Sequence, residues 1–451
     1  MKKVKVLNTN EIKIKRLSEN IIWLLMFVIS IIHGLMRITP GILSSYVTQI
    51  KNEFQLSDEK FGMFGTVNGL GSLVGSLIFT LIIEQTDHKN LICTMLTINC
   101  LSHFSFYFKL DYPILLLSRF ISGFASVFCF IYFPMWVDKF AMKKWVNFMQ
   151  TTVQLTNTIG HIFGYFIYLI LGSKNWKYGF LIEIFTISCF VLIMVIIPNK
   201  YYDKNYENKE WNEINNYEWF EQEKEKETIT NDIICNIPYI LITLYRGNRL
   251  FIFVAIDFWY SDYIQNSLMI DDPLIIFWSY TLTIVISNLI GNVLGGLIIN
   301  AIGGTNSIYS FPTMAFLQFI CVFFGIFAPI TKSIYIFTFL MSLYMILNSA
   351  SGIITISASF AVMPHTLKGT ATGIYSIVVN LIAFLPAPYA YAFIKNIIGE
   401  ESYIMIVLMI YGILGGFELI FAEVYMRAKK VKIHKEEYKY EEIKNKNNEI
   451  K

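Results

Sequence analysis

Arg37, Arg119 and Asp257 sit inside long apolar runs of the sequence. A charge at the centre of a bilayer costs about 2.5–3.5 kcal/mol on insertion scales, so one retained there needs a partner or a task. His33 lies four residues before Arg37, a spacing that puts both on one helix face. A guanidinium matches a carboxylate or phosphate as a fork. Arg37, and Arg119 at the opening of its own run, therefore read as holders of an anionic group; the alternative for each is a local pairing or a helix end. Asp257 shares a face with Ser261 and Gln265, with Tyr260 beside it. It reads as a partner for Arg37 or as a proton-coupling acid, against the alternative of a water-exposed residue near a span's end. Gln154, Asn157 and His161 form another face. Asn380 aligns with Asn157 when the two halves of the chain are superposed, so amides on related helices would bond a polar solute, or act as helix glue worth about 0.6 kcal/mol per bond. Asp262 is read as solvated, and Glu183 and Glu418 as paired with polar neighbours.

These residues must be positioned by membrane-spanning helices. Hydrophobic residues make up 55% of the 451, charged residues 15%, against about 25% charged in a soluble domain. A spanning helix needs roughly 20 mostly apolar residues. The runs place twelve spans at 21–38, 61–83, 90–109, 112–138, 147–171, 178–198, 249–269, 274–302, 308–329, 333–361, 369–395 and 402–426. The runs are continuous rather than alternating, which excludes a β-barrel. The fold class is all-α integral membrane, with twelve transmembrane helices in two pseudo-symmetric six-helix bundles, 21–198 and 249–426. Between them lies a linker, 199–248, and the charged ends are 1–20 and 427–451.

The first 20 residues hold six basic and two acidic side chains; the tail from Arg427 holds nine and five. Both are net positive beside a span, so both termini are expected in the cytoplasm. The membrane itself, plasma or internal organelle, is left open. The net charge of +3 offers no basic face for nucleic acid. Six scattered cysteines and six histidines give neither a disulfide framework nor a metal centre. No phosphate loop, HExxH helix or GxSxG elbow appears. The chain is read as having no catalytic residues, no cofactor and no metal, and as a monomer.

An internal repeat supports two halves. Gly75 and Gly291 each stand nine residues before Glu84 and Asn300, and Leu-Ile-Ile precedes both. Repeats of this kind mark transporters whose site lies between the halves near the midplane. Glycines 62, 65, 69, 71 and 75, and 291, 295 and 296, are read as close-packing faces.

At this point the sequence resembles the major facilitator superfamily over nearly its whole length. Arg119-Phe-Ile-Ser-Gly123 looks like the family's R-x-x-x-G motif, and Trp176-Lys177-Tyr-Gly-Phe180 its W-R-x-x-F motif. Pro364-His-Thr-Leu-Lys368-Gly369-Thr-Ala371-Thr-Gly373 looks like P-x-x-x-R-G-x-A-x-G. The loops after spans two and eight match G-x-x-x-D-R-x-G-R-K only in part, through Glu84, Asp87 and Lys89, and Asn300, Gly303 and Gly304. Met36-Arg37-Ile-Thr-Pro-Gly41-Ile-Leu43 and Phe384-Leu-Pro386-Ala-Pro388-Tyr389 are similar to stretches of spinster-type lipid transporters. There the resemblance departs: Met36 and Ser126 stand where that group has acids taken to couple transport to protons.

The resemblance implies a secondary transporter that rocks two bundles about a central site. The solute would be small, organic, and anionic or amphipathic, such as a lysolipid, with protons as coupling ion through Asp257. The alternative is a non-transporting scaffold or sensor, motivated by Gln85 where the family has arginine.

Overall fold

The computed structural model describes residues 19–82, 86–141, 145–202, 236–303, 309–362, 374–375 and 377–429. Glu84, Gln85, Lys368 and its motif, most of the linker and most of both charged ends lie outside the described residues. Among the described residues all regular structure is helical. Twelve long elements follow one another: α1 (Glu19–Ser45), α2 (Asp58–Ile82), α3 (His88–Tyr107), α4 (Tyr112–Phe140), α5 (Val146–Leu171) and α6 (Trp176–Ile196). After the linker come α7 (Ile237–Asn266), α8 (Pro273–Ala301), α9 (Ser310–Ile330), α10 (Ile334–Ala361), α11 (Ile377–Ile398) and α12 (Glu401–Lys429). A short helix, Val47–Phe54, joins α1 to α2.

Ten of the twelve contain a stretch long and apolar enough to cross a membrane. The others are α3 and α5, the latter with an apolar part at Leu155–Leu171. The polarity of α3 is turned inward. Asn99, Ser102, His103 and Ser105 are buried. Ser122 of α4 donates to Asn99 Oδ1 at 2.8 Å, and Ser118 donates to the Ser102 carbonyl at 2.5 Å. A helix whose polar groups are largely satisfied inside the bundle needs less hydrophobicity.

One boundary moves. α7 begins at Ile237 rather than 249, so the end of the expected linker is helix. Asn236 caps it by accepting from the Tyr239 amide at 3.1 Å. Arg246, Asn248 and Arg249 interrupt the apolar run and gave a false edge. They are accommodated inside the bundle: Asn248 donates to Glu418 Oε1 at 2.7 Å and accepts from Tyr411 at 2.6 Å. Arg249 Nη1 donates to the Asn348 carbonyl at 2.5 Å.

The two halves repeat their packing. Gly75 of α2 abuts Phe124 and Val127 of α4, and Gly291 of α8 abuts Ile346 and Ser349 of α10. Both positions let backbones approach where any larger residue would collide. α2 carries a second glycine face: Gly62, Gly65 and Gly69 lie against Phe384, Leu385 and Pro388 of α11 in the other half. Gly296 has open space beside it.

Among the described residues, the hydrogen bonds and ion pairs joining the halves cluster toward the end opposite Glu19 and Lys429. Thr48 donates to Gln265 Oε1 at 2.6 Å, Gln265 to Tyr168 at 3.3 Å, and Asn396 to Glu59 at 2.8 Å. Lys51 and Lys395 both grip Asp262 there. Asp262, expected to be solvated, is instead fully buried in this cluster, because two cations from different elements converge on it.

Candidate functional site

α1 is broken at Met36–Arg37, between segments ending at Leu35 and resuming at Ile38. Gly34 and Gly41 bring it against Gly160 and Gly164 of α5, backbone to backbone. That close approach places Arg37 over α5. Its Nε donates to Asn157 Oδ1 at 3.3 Å, and its guanidinium lies 4.4 Å from the centroid of the Phe130 ring on α4. A cation over an aromatic face is attracted by the ring quadrupole.

Across the junction stands Asp257 of α7, nine residues from the end of its helix, or about 14 Å at the helical rise. Its Oδ1 accepts from the Tyr280 hydroxyl at 2.6 Å, and its Oδ2 lies 3.2 Å from His161 Nδ1 of α5. Arg37 and Asp257 are linked through one face of α5, Arg37 at Asn157 and Asp257 at His161 one turn on. The Tyr165 and Tyr280 rings stack across the two halves with centroids 3.7 Å apart, and Ser261 donates to the Tyr165 hydroxyl at 3.1 Å. The carboxylate and histidine keep a fraction of their surface, 14% and 13%, so neither is sealed off.

Of the residues singled out in the sequence, Arg37, Asn157, His161 and Asp257 come together. His33 does not join them. It is buried, with Nδ1 3.2 Å from Thr156 Oγ1 and its ring edge-on to Phe130, and it fastens α1 to α5. Arg119 also lies elsewhere, within the first half: its Nε donates to the Phe64 carbonyl at 3.3 Å. Nearby, Thr39 and His103 gather around Glu183, whose Oε2 accepts from Thr39 at 2.5 Å. Tyr260 stands one layer behind the site. Its hydroxyl meets Ser279 at 2.8 Å and Thr283 at 2.9 Å, and its ring abuts Tyr280. Gln265 belongs to the closed end of the junction. Asn380 opens the π-helical turn Asn380–Phe384 of α11. The side chain of Gln154 lies outside the described residues.

Tyr165, Tyr280 and Phe130 carry no signal of their own in the sequence. Among 27 tyrosines, nothing in spacing separates these from the rest. Their position beside Asp257 and Arg37 exists only once α5 and α8 are brought face to face. Among the described residues no group of three or more His, Cys, Asp or Glu is arranged to hold a metal.

The family model of the Major Facilitator Superfamily matches residues 22–388. No curated protein matches the sequence. Among solved structures, the chain is similar to a bacterial homolog of the human lysosomal transporter Spinster, in an inward-facing and unoccupied conformation, with TM-score 0.73 and 12% identity, covering 90% of this chain and 98% of that one. It is also similar to a D-xylose–proton symporter (TM-score 0.68, 13% identity, 89% and 97% covered) and to a nucleoside transporter (0.63, 14%, 88% and 98%). At such identities the likeness is one of fold.

Proposed function

The chain belongs to the major facilitator superfamily, and from that premise we propose that it moves a small organic solute, anionic or amphipathic, by alternating access between its two bundles. One observation carries the reading: Arg37 with Asn157 on the first half faces Asp257 with Tyr280 on the second, and His161 bridges them. A cation and an acid held by opposite halves suit a solute that must be gripped by both and released when they part. Arg37 is the proposed holder of the solute's negative group, and Asp257 the proposed proton carrier. The likeness to a proton symporter and to an inward-facing Spinster homolog supports this assignment. Met36 and Ser126, which cannot carry a proton at working pH, leave Asp257 as the available acid at the junction. With both termini in the cytoplasm, the solute would enter this conformation from the cytoplasmic side.

The test is uptake into vesicles reconstituted with the full chain, against a panel of amino acids, sugars, organic anions and lysolipids. Arg37→Ala is expected to abolish uptake of the solute that scores, with folding intact. Asp257→Asn is expected to flatten the dependence of uptake on pH. Flux of no compound on the panel, or full flux in Arg37→Ala, would overturn the reading.

A further inference from the structure

α7 carries two more arginines, Arg246 and Arg249, deeper along the same helix toward the end that holds the termini. Arg246 lies eleven residues before Asp257, about three helical turns, and so on the same face about 16 Å away. Arg249 stands one turn from Arg246, so two like charges share one side of the helix. Among the described residues neither forms an ion pair. Glu418, the carboxylate on the neighbouring α12, accepts from Asn248 instead. The Arg246 guanidinium lies 4.1 Å from the centroid of the Tyr375 ring, just before α11 in the chain. The Arg249 guanidinium packs flat against Gly352 of α10, is 8% exposed, and uses Nη1 on the Asn348 carbonyl.

Three buried polar atoms in this one place have no hydrogen-bond partner: Arg246 Nε, Arg249 Nε and Asn348 Oδ1. Buried donors left unmatched cost about 1–3 kcal/mol each, more when charged. Two like charges within a membrane-spanning helix, with no ion pair among the described residues, are costlier still. A ligand that brings two negative charges relieves both penalties. A monocarboxylate neutralises one guanidinium and leaves the other; a phosphate monoester neutralises both and offers enough oxygens for the free Nε donors.

We propose that Arg246 and Arg249, with Tyr375, form a second anion subsite on the other half, built for a phosphate monoester group. The subsite deepens the transporter reading: it would catch the phosphate on the open side, with Arg37 and Asp257 further along the path. Its evidence is separate, because it rests on the unpaired guanidiniums of α7 and not on the junction.

The experiment is calorimetric binding to the purified full chain in detergent at fixed ionic strength. The probes are glycerol 3-phosphate, lysophosphatidic acid, glycerol, lactate and lysophosphatidylcholine. Glycerol 3-phosphate and lysophosphatidic acid are expected to bind, and glycerol, lactate and lysophosphatidylcholine to bind at least about tenfold more weakly. Binding of both phosphates equally assigns the subsite to the phosphate group itself; preference for the acylated one assigns a phospholipid-like source. Arg246→Gln and Arg249→Gln are each expected to weaken phosphate binding about tenfold or more, and Arg246→Lys less. Arg246 is only partly buried, so its variant keeps the test open if Arg249→Gln fails to fold. Equal affinity for lactate and glycerol 3-phosphate, no phosphate binding at all, or undiminished binding in Arg246→Gln would overturn the proposal. Because binding is read without flux, such a result leaves vesicle uptake to stand or fall separately.

Discussion

Lys395 Nζ of α11 lies 2.7 Å from Oδ2 of Asp262 on α7, a carboxylate with no exposed surface. Lys51, from the other half, reaches Oδ1 of the same group at 3.2 Å. Asp58 pairs with both lysines, Glu401 pairs with Lys395, and each ammonium lies 5.8 Å from the Trp259 ring centroid. One buried acid is therefore a point at which the first half is tied to the second. Removing one member of a buried ionic cluster costs about 3–5 kcal/mol, since the remaining charges stay buried and unmatched. Asp262→Asn is expected to loosen this end by about 3 kcal/mol. A cysteine placed at Thr48 should then be labelled faster by a water-soluble maleimide in the variant than in the parent. Equal labelling rates would mean that the cluster does not hold the junction shut.

Tyr280 and Tyr260 form a matched pair of controls. The Tyr280 hydroxyl bonds the Asp257 carboxylate, while Tyr260 bonds the hydroxyls of Ser279 and Thr283. A hydrogen bond to a charged group contributes about 1.5–3 kcal/mol. Tyr280→Phe is expected to reduce uptake about tenfold or more, with Tyr260→Phe much milder. The reverse ranking in vesicle uptake would place the important hydroxyl on the wrong ring.

The glycine faces of α2 and α8 predict opposite outcomes for one chemical change. A Cβ at Gly69 would stand 2.8 Å from the Phe384 carbonyl oxygen and 2.9 Å from Leu385 Cα, backbone atoms that cannot rotate away. Gly69→Ala is expected to disfavour this arrangement by about 1–3 kcal/mol. Gly296→Ala meets nothing within 4 Å and should stay within about 0.5 kcal/mol. Electron-spin distance measurements between the α2 and α11 ends would read the first, and melting temperature the second.

Glu53, on the short helix outside the spans, explains the tryptophan of the Trp176–Phe180 motif. Trp176 Nε1 donates to its Oε2 at 2.5 Å, and Lys109 pairs with Oε1. Partial burial pushes the carboxyl up, but the Lys109 and Trp176 hydrogen bonds and the Lys109 and Lys177 charges together hold it below the ordinary glutamate range. A depressed carboxylate stabilises the fold fully above its unfolded value, and that contribution fades as pH falls through the folded value. Melting temperature should therefore fall on acidification below the usual glutamate range, and Glu53→Gln should remove part of that slope. A parallel slope in the variant would show that the carboxylate is not responsible.

The helical architecture was legible because lipid demands long apolar runs, and the two halves because Gly75 and Gly291 hold matching places. Helix edges were less so. Arg246 and Arg249 look like the end of a span in one dimension, yet α7 runs through them because Asn348, Gly352 and Tyr375 supply a place for them. The candidate site was legible as charges, with Arg37 and Asp257 both visible as costly residues, and Asn157 and His161 as one face. Tyr165 and Tyr280 were not, since an aromatic ring acquires meaning only from the helix opposite. His33 shares a face with Arg37 in spacing and the Phe130 ring in the fold, but its Nδ1 meets Thr156 and, among the described residues, no group of the second half. Asp262 misled because nearness to a helix end suggests water, whereas Lys51 and Lys395 arrive from distant parts of the chain.

The second glycine face of α2 has a hydration consequence. In a cycle that parts α2 from α11, the seam opens backbone against backbone at Gly62 and Gly69, while at Gly65 it uncovers the Pro388 ring and the edge of Phe258. Separation there exposes less apolar area than a seam of interdigitated side chains would, and Pro388 and Phe258 carry the wetting penalty that remains. The seam is tight when shut and inexpensive to unzip, a combination that bulkier residues at the same three positions would forfeit in both directions.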